Sequence, residues 1–415
     1  MYDMLYSKAS AAHSLAGFVV RSISLMSSSA AFVAFCIVVD NHNFSHKNII
    51  VTYLLLVGAV FLEIYAIVML IFSERTLLRL KKKKKGYGNF LYRVISACPS
   101  ASMNRKRWSG YMAQYNLIGF CVNDKPSQYE EIQRFFGIYE SLEIARYKTW
   151  EKVTNELKQM IFAHIKRRTA TASSPEAFKN LCSNRGDYTL RKKSCVTQFS
   201  WSVLAVEFDH SILLWHIATD LCYYSDLNRS KNIGNANLSP SSRAITSKFL
   251  SDYMLYLLVL RPSMLPKGIG EIKYRDTCAE AQRFISQRRN AISSREQACM
   301  SLLEVETIIL PEIAKGNESM SVLFDGCRLA KSLQEWGGDV DRWKNEEKWD
   351  MMEEMWIEML CYAATQCKWK PHIQQLSRGG ELLTHVGLLM AHLGLSEQFQ
   401  VSTGISKGIS LPPIY

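Results

Sequence analysis

Between Ile49 and Phe72 the chain reads IIVTYLLLVGAVFLEIYAIVMLIF, with Glu63 as its single charged side chain. A helix of that length crosses a hydrocarbon core about 30 Å thick. Nine residues further on, Lys81, Lys82, Lys83, Lys84 and Lys85 form a charge block that does not enter lipid. Together they predict a rod seated in a bilayer and stopped at its inner edge, followed by a water-soluble body.

Upstream, Met1 to Gly17 is short and mixed, without a basic n-region or a small-residue cleavage site, so no cleaved signal peptide is expected. Ile23 to Val39 is a second apolar stretch, near the lower length limit for a span, with Arg21 at its start. Its serines, Ser24 and Ser27 to Ser29, lower the hydropathy but can bond within or between helices. The polar loop from Asp40 to Asn48 joins the two stretches into a predicted hairpin. The basic run after the second helix places that end, and the chain start, in the cytosol. The loop carries a formal sequon at Asn43-Phe44-Ser45, expected empty so close to the membrane. Counting helix rise from the loop puts Glu63 at ~21 Å, Ser24 at ~22 Å and Arg21 at ~27 Å. Ser24 can then meet Glu63, and Arg21 can snorkel to it. An ion or proton site is one reading; a satisfied helix–helix contact suits a two-span chain better.

The chain has 415 residues and a net charge of +12. Eleven basic residues and no acid lie between Arg75 and Arg107, which leaves the remainder near balance. That concentration fits a juxtamembrane patch for anionic lipid, at about 1 kcal/mol per Lys or Arg. It does not suit a nucleic-acid binder, whose charge is spread over a folded domain with interleaved aromatics. The 11 cysteines are scattered and none forms Cys-x-x-Cys, so neither a zinc ribbon nor a redox pair is indicated. Isolated thiols at apolar positions suit a reduced compartment, and the body is read as cytosolic.

Beyond Arg107 the patterning is helical. Ser127 to Arg168 is rich in helix formers and gives way to a Thr/Ser/Pro break. Trp201 to Tyr224 is apolar on nearly every face but carries Glu207, Asp209, His210, His216 and Asp220, which predicts a buried core helix rather than a span. Ile245, Phe249, Tyr253, Tyr256 and Leu260 mark a further helix ending at Arg261, before Pro262. Asp276 to Leu310 reads as a helical pair, Gly316 to Gly326 as a turn-rich connection and Cys327 to Trp336 as a short helix. From Trp349 to Cys367, Met352, Trp356, Met359 and Ala363 form an apolar stripe, with Asp350, Glu354 and Glu358 expected on the wet side. Glu381 to Leu395 repeats the form, and the tail after Leu395 has little periodicity.

Few constellations carry chemistry. His216 and Asp220, four apart, can present an Asp-oriented imidazole on one helix face, though any buried histidine needs such a partner. Cys327, expected just before a helix, sits where the N-terminal dipole lowers a thiol pKa, but no histidine is committed to it. Glu381, His385 and His392 share a helix face without a fourth metal ligand, and Cys361, Cys367 and His372 invite the same thought and fail for the same reason. Structural roles account for all of these more simply, and neither metal nor cofactor is expected. There is no Walker A loop, G-x-G-x-x-G, G-x-S-x-G or H-E-x-x-H. Cys98, beside the basic patch, is a positional candidate for lipidation.

Several long runs are distinctive: TYLLLVGAVFLEIYA (52–66), WSGYMAQYNLIGFC (108–121), EFDHSILLWHIATDLCYY (207–224), SDYMLYLLVLRPSMLP (251–266), GIGEIKYRDTCAEA (268–281), SVLFDGCRLAKSL (321–333) and the stretch 355–395. The sequence resembles plant membrane proteins that carry the domain of unknown function 4220, followed C-terminally by domain 594. The resemblance implies a plant integral membrane protein and supplies no catalytic residue. It also implies further spans before the LLLVGA helix, where this chain has about fifty residues, and a tryptophan where this chain has Gly387.

The expected architecture is mainly α. A transmembrane hairpin at 1–74 (spans about 23–39 and 49–72) leads through a basic neck at 75–107 to a cytosolic, all or nearly all helical body. The body comprises a domain at 108–340 and paired helices at 341–395, with a loose tail at 396–415. The leading functional expectation is a non-enzymatic, membrane-tethered interaction or scaffold protein that contacts anionic lipid and protein partners. The alternatives are a membrane-bound enzyme using His216/Asp220 or Cys327, and a transport or channel subunit using Glu63.

Overall fold

The structure is a computed structural model and describes residues 15–38, 46–71, 110–123, 147–171, 175–232, 240–266, 268–289, 291–305, 321–337, 342–377, 380–393 and 395. Lys81 to Lys85, the Asn43 sequon, Cys98 and the 396–415 tail lie outside them. The chain divides into two compact units, residues 1–106 and 107–415.

In the first unit, α1 (Leu15–Val38) and α2 (His46–Ile71) lie side by side. Tyr53, near the start of α2, meets Phe35, near the end of α1, edge-on at 5.2 Å, while Glu63 meets Ser24 further along. The pair is therefore antiparallel. Both helices are long and apolar enough to cross a membrane, over Val19–Ile37 and Lys47–Val68. Their outer faces stay uncovered: Met26 is 72% and Ile37 77% exposed on α1, and Leu54 is 70% exposed on α2.

The second unit opens with a feature absent from the helical reading. β1 (Tyr111–Gln114) pairs antiparallel with β2 (Thr149–Lys152), Tyr111 opposite Lys152 and Gln114 opposite Thr149. Four-residue strands leave too short an alternation to read from sequence. Between them lies α3 (Leu117–Asn123), and after them α4 (Asn155–Thr171), α5 (Pro175–Ser183), α6 (Asp187–Lys192) and α7 (Val196–Phe199).

The core is built on α8 (Phe208–Asn232). Ile212, Leu213, Leu214, Trp215, Ile217, Ala218, Leu221 and Cys222 have no solvent contact, so neighbours cover this stretch of α8 all round. Those neighbours include α9 (Ser242–Leu260), α11 (Arg295–Leu303) and α12 (Val322–Gly337). α8 starts seven residues later than the expected Trp201. Ser202 accounts for this: its carbonyl accepts from the Ser211 hydroxyl at 2.7 Å and its own hydroxyl accepts from the Trp215 indole at 3.2 Å, folding 200–207 back on the helix. α9 is capped by Ser241, which accepts from the Ala244 N–H, and ends at Leu260 before Pro262. α10 (Gly270–Gln287) and α11 supply the two helices expected over Asp276 to Leu310, although α10 starts six residues earlier and α11 ends at Leu303, with a Ser294/Gln297 capping box opening α11.

α13 (Arg342–Gln366) packs on α9 and α12 and is joined by α14 (Trp369–Ser377) and α15 (Leu382–His392). Its buried side is wider than the expected stripe, taking in Met351, Met355, Ile357 and Leu360 as well. Gly387 on α15 stands close to both α13 and α14: a Cβ there would lie 3.4 Å from the Ala364 carbonyl on α13 and from the His372 ring on α14.

Candidate functional site

On α2, Glu63 Oε1 accepts from the Ser24 hydroxyl at 2.8 Å, and an Arg21 guanidinium nitrogen lies 3.6 Å from Oε2. These are the partners that helix rise brings to its level, and they give a carboxylate in an apolar hairpin both a donor and a countercharge.

In the body, His216 and Asp220 lie inside a larger network. Asn116, in the connection from β1 to α3, caps α3 by accepting from the Gly119 N–H at 2.7 Å. Its amide nitrogen lies 3.1 Å from His216 Nε2, 2.8 Å from Asp220 Oδ2 and 3.0 Å from Asp252 Oδ1. His216 Nε2 also accepts from the Leu117 backbone N–H at 3.3 Å, so Nδ1 carries the proton and faces the Ser251 hydroxyl at 2.9 Å. The imidazole is thus oriented by Leu117 and Ser251 rather than by Asp220. Burial pushes His216 down to about 4, against the pull of Asp220 and Asp252, and the ring is neutral at pH 7. Asp220 instead takes Lys248 at 2.8 Å and Arg295 at 2.6 Å. Burial alone would raise its carboxyl, but Arg295 and Lys248 outweigh that and hold it well below the usual range. Lys248 also pairs with Asp252 one turn along α9. Two acids, two cations and a neutral imidazole cancel, as a buried charge cluster must to persist. His216 is spent as an acceptor and Asp220 as a counter-ion.

Of these partners, only Lys248 and Asp252 had a sequence signal: opposite charges four apart in an apolar helix. Asn116 and Arg295 join from distant segments and carried none.

Cys327 corrects an expectation. Ser321 accepts from the Phe324 N–H at 3.3 Å, so α12 begins at Val322 and Cys327 lies in its second turn rather than ahead of it. The thiol has no solvent contact, and burial pushes it up to about 12, the reverse of activation. Glu358, expected in water, is fully buried and accepts from the backbone N–H groups of Gly186, Tyr188 and Thr189 and from the Thr189 hydroxyl. It serves as the anionic cap of α6. Glu381 accepts from the Tyr256 hydroxyl at 2.8 Å and the Tyr253 hydroxyl at 3.3 Å. No group of three or more His, Cys, Asp or Glu side chains is placed to hold a metal among the described residues.

A cleft of about 770 Å³ opens among the 201–206 turn, the start of α8, α10 and the start of α12. None of His216, Asp220 and Cys327 lines it.

Residues 1–121 match the family described as Domain of unknown function (DUF4220), and residues 341–395 match that described as Protein of unknown function, DUF594. No curated protein and no solved structure matches the chain. The chain thus carries the domain of unknown function 4220 at its N-terminus and domain 594 behind it, in the order that its distinctive runs led one to expect.

Proposed function

We propose that the chain is a plant integral membrane protein acting as a non-enzymatic, membrane-tethered interaction or scaffold protein. In this reading α1 and α2 span the bilayer as a hairpin, the helical body lies in the cytosol, and the neck at 75–107 rests against anionic headgroups. One observation carries it: two paired helices of spanning length leave large apolar side chains such as Met26, Ile37 and Leu54 uncovered along their outer faces. Apolar area left in water forgoes about 25 cal/mol per Å², and a bilayer removes that cost. The Ser24–Glu63–Arg21 contact supports the same reading, as a polar clasp between two helices in lipid. A scaffold is favoured over an enzyme because His216 and Asp220 already hold structural partners and Cys327 is sealed in the core.

Alkaline carbonate washing of membranes tests the anchor: the chain stays in the pellet, and release into the supernatant overturns the reading. Protease added to sealed microsomes should then digest everything after Lys85; a protected body means the topology is inverted. Changing Lys81 through Lys85 to Gln should loosen contact of the neck with anionic liposomes, whereas unchanged, salt-insensitive contact removes the lipid role.

A further inference from the structure

The cleft's volume of about 770 Å³ is in the range of sites that take small organic ligands. Val206 and Val322 supply an apolar lining. Beside them Arg328 stacks on the Trp201 ring at 4.2 Å and pairs with Asp325 at 3.1 Å, so that cation and that anion are already spent within the protein.

α10 brings charges of a different kind. Lys273, Asp276, Glu280 and Arg283 follow one another at spacings of three, four and three, all lining the cleft. Lys273 and Asp276 are separated by about 4.5 Å along the axis. At that spacing opposite charges on a helix usually close on each other. Here they do not. Lys273 donates to His210 Nδ1 at 3.0 Å and has no carboxylate partner among the described residues. Burial pushes His210 down to about 4, with Lys273 adding to the fall, so the ring is neutral and leaves the ammonium uncompensated. Asp276 has no ion-pair partner among the described residues, and Glu280 turns to the Ser321 hydroxyl. Lys273 and Asp276, both open, therefore stand a turn apart beside an apolar lining. Anionic ligands meet Asp276 and Glu280, and cationic ligands meet Lys273 and Arg283, so neither sign alone is welcome.

We propose that this cleft binds a small zwitterion bearing an apolar group, the class of apolar amino acids and short peptides made from them. The carboxylate pairs with Lys273, the ammonium with Asp276, and the apolar group packs on Val206 and Val322.

The test is titration calorimetry on the full chain in detergent with leucyl-leucine, its N-acetyl form, which lacks the ammonium, and its C-terminal amide, which lacks the carboxylate. Leucyl-leucine should bind, and loss of either pole should weaken binding at least tenfold. Lys273→Met should lose the preference for leucyl-leucine over its amide, and Asp276→Asn the preference over its N-acetyl form. Ala279→Trp, on the exposed cleft side of α10, should fill the space and abolish binding of all three. Melting temperatures should not move, since Asp276 and Ala279 are exposed and Lys273 is half-buried. No binding of leucyl-leucine at millimolar concentration, equal binding of the three probes, or binding that survives Ala279→Trp overturns the proposal.

Discussion

Asp220 has no solvent contact and holds Arg295, Lys248 and the Asn116 amide. Removing one cation from such a set leaves two buried carboxylates, Asp220 and Asp252, sharing the other, Lys248. Arg295→Met should therefore cost about 3–5 kcal/mol, read as a fall in the denaturant midpoint of the body. Titration gives a second expectation. His164 is pushed down to about 3, and His210, His216 and His385 to about 4, burial leading in each case. Below pH ~6.5 the unfolded chain takes up protons that the folded chain refuses. Stability should fall as pH drops from about 6.5 toward about 4, by roughly 1.4 kcal/mol per pH unit for each such histidine. Glu353 works in the opposite direction. Burial pushes its carboxyl up to about 7, with Asp350 and Glu354 adding to the rise, so the folded chain keeps a proton that the unfolded chain gives up. That contribution is lost as pH rises from about 4.5 through about 7. Glu353→Gln should be the more stable form near pH 8 and equal to the parent near pH 4 in thermal melts.

At the scale of elements, α8 and α12 approach each other closely at Gly326. A Cβ at Gly326 would stand 2.7 Å from both Cβ and Cγ2 of Ile217, a β-branched side chain with no room to turn inside a helix. Gly326→Ala should destabilise the body by about 1–3 kcal/mol, measured by chemical unfolding, and Ile217→Ala in the same chain should recover part of that loss. The same contact shows how legible the elements were. α9 and α15 could be read closely because each presents apolar residues at helical spacing, with a cap at Ser241 and a breaker at Pro262 bounding α9. α12 was misplaced at its start, since the glycine that suggested a turn is there for clearance against Ile217. α13 was misjudged on one face. Glu358 reads as a solvent group by periodicity, and only the arrival of the 186–189 backbone, remote in sequence, makes it a buried cap. The β1–β2 pair and the Asn116 and Arg295 arms of the charge network likewise depend on segments meeting across the fold, which periodicity does not encode.

For the whole molecule, the apolar hairpin was the most legible part, because a charge-poor run of spanning length has few other uses. The Ser24 contact of Glu63 followed from helix rise alone. Glu63→Gln keeps the hydrogen-bonding shape while removing the charge that faces Arg21. It should weaken the pairing of α1 with α2, seen as faster hydrogen exchange in both helices.

The position of Asn116 bears on how the body can be isolated. The segment that matches the first family reaches residue 121, yet residues 110–121 already belong to the second compact unit, where Asn116 bridges two carboxylates and β1 pairs with β2. A fragment cut at that family boundary would discard its own keystone, leaving Asp220 and Asp252 short of a donor and β2 an orphaned edge. A fragment of the body for expression should begin ahead of Gly110, at the seam the packing recognises.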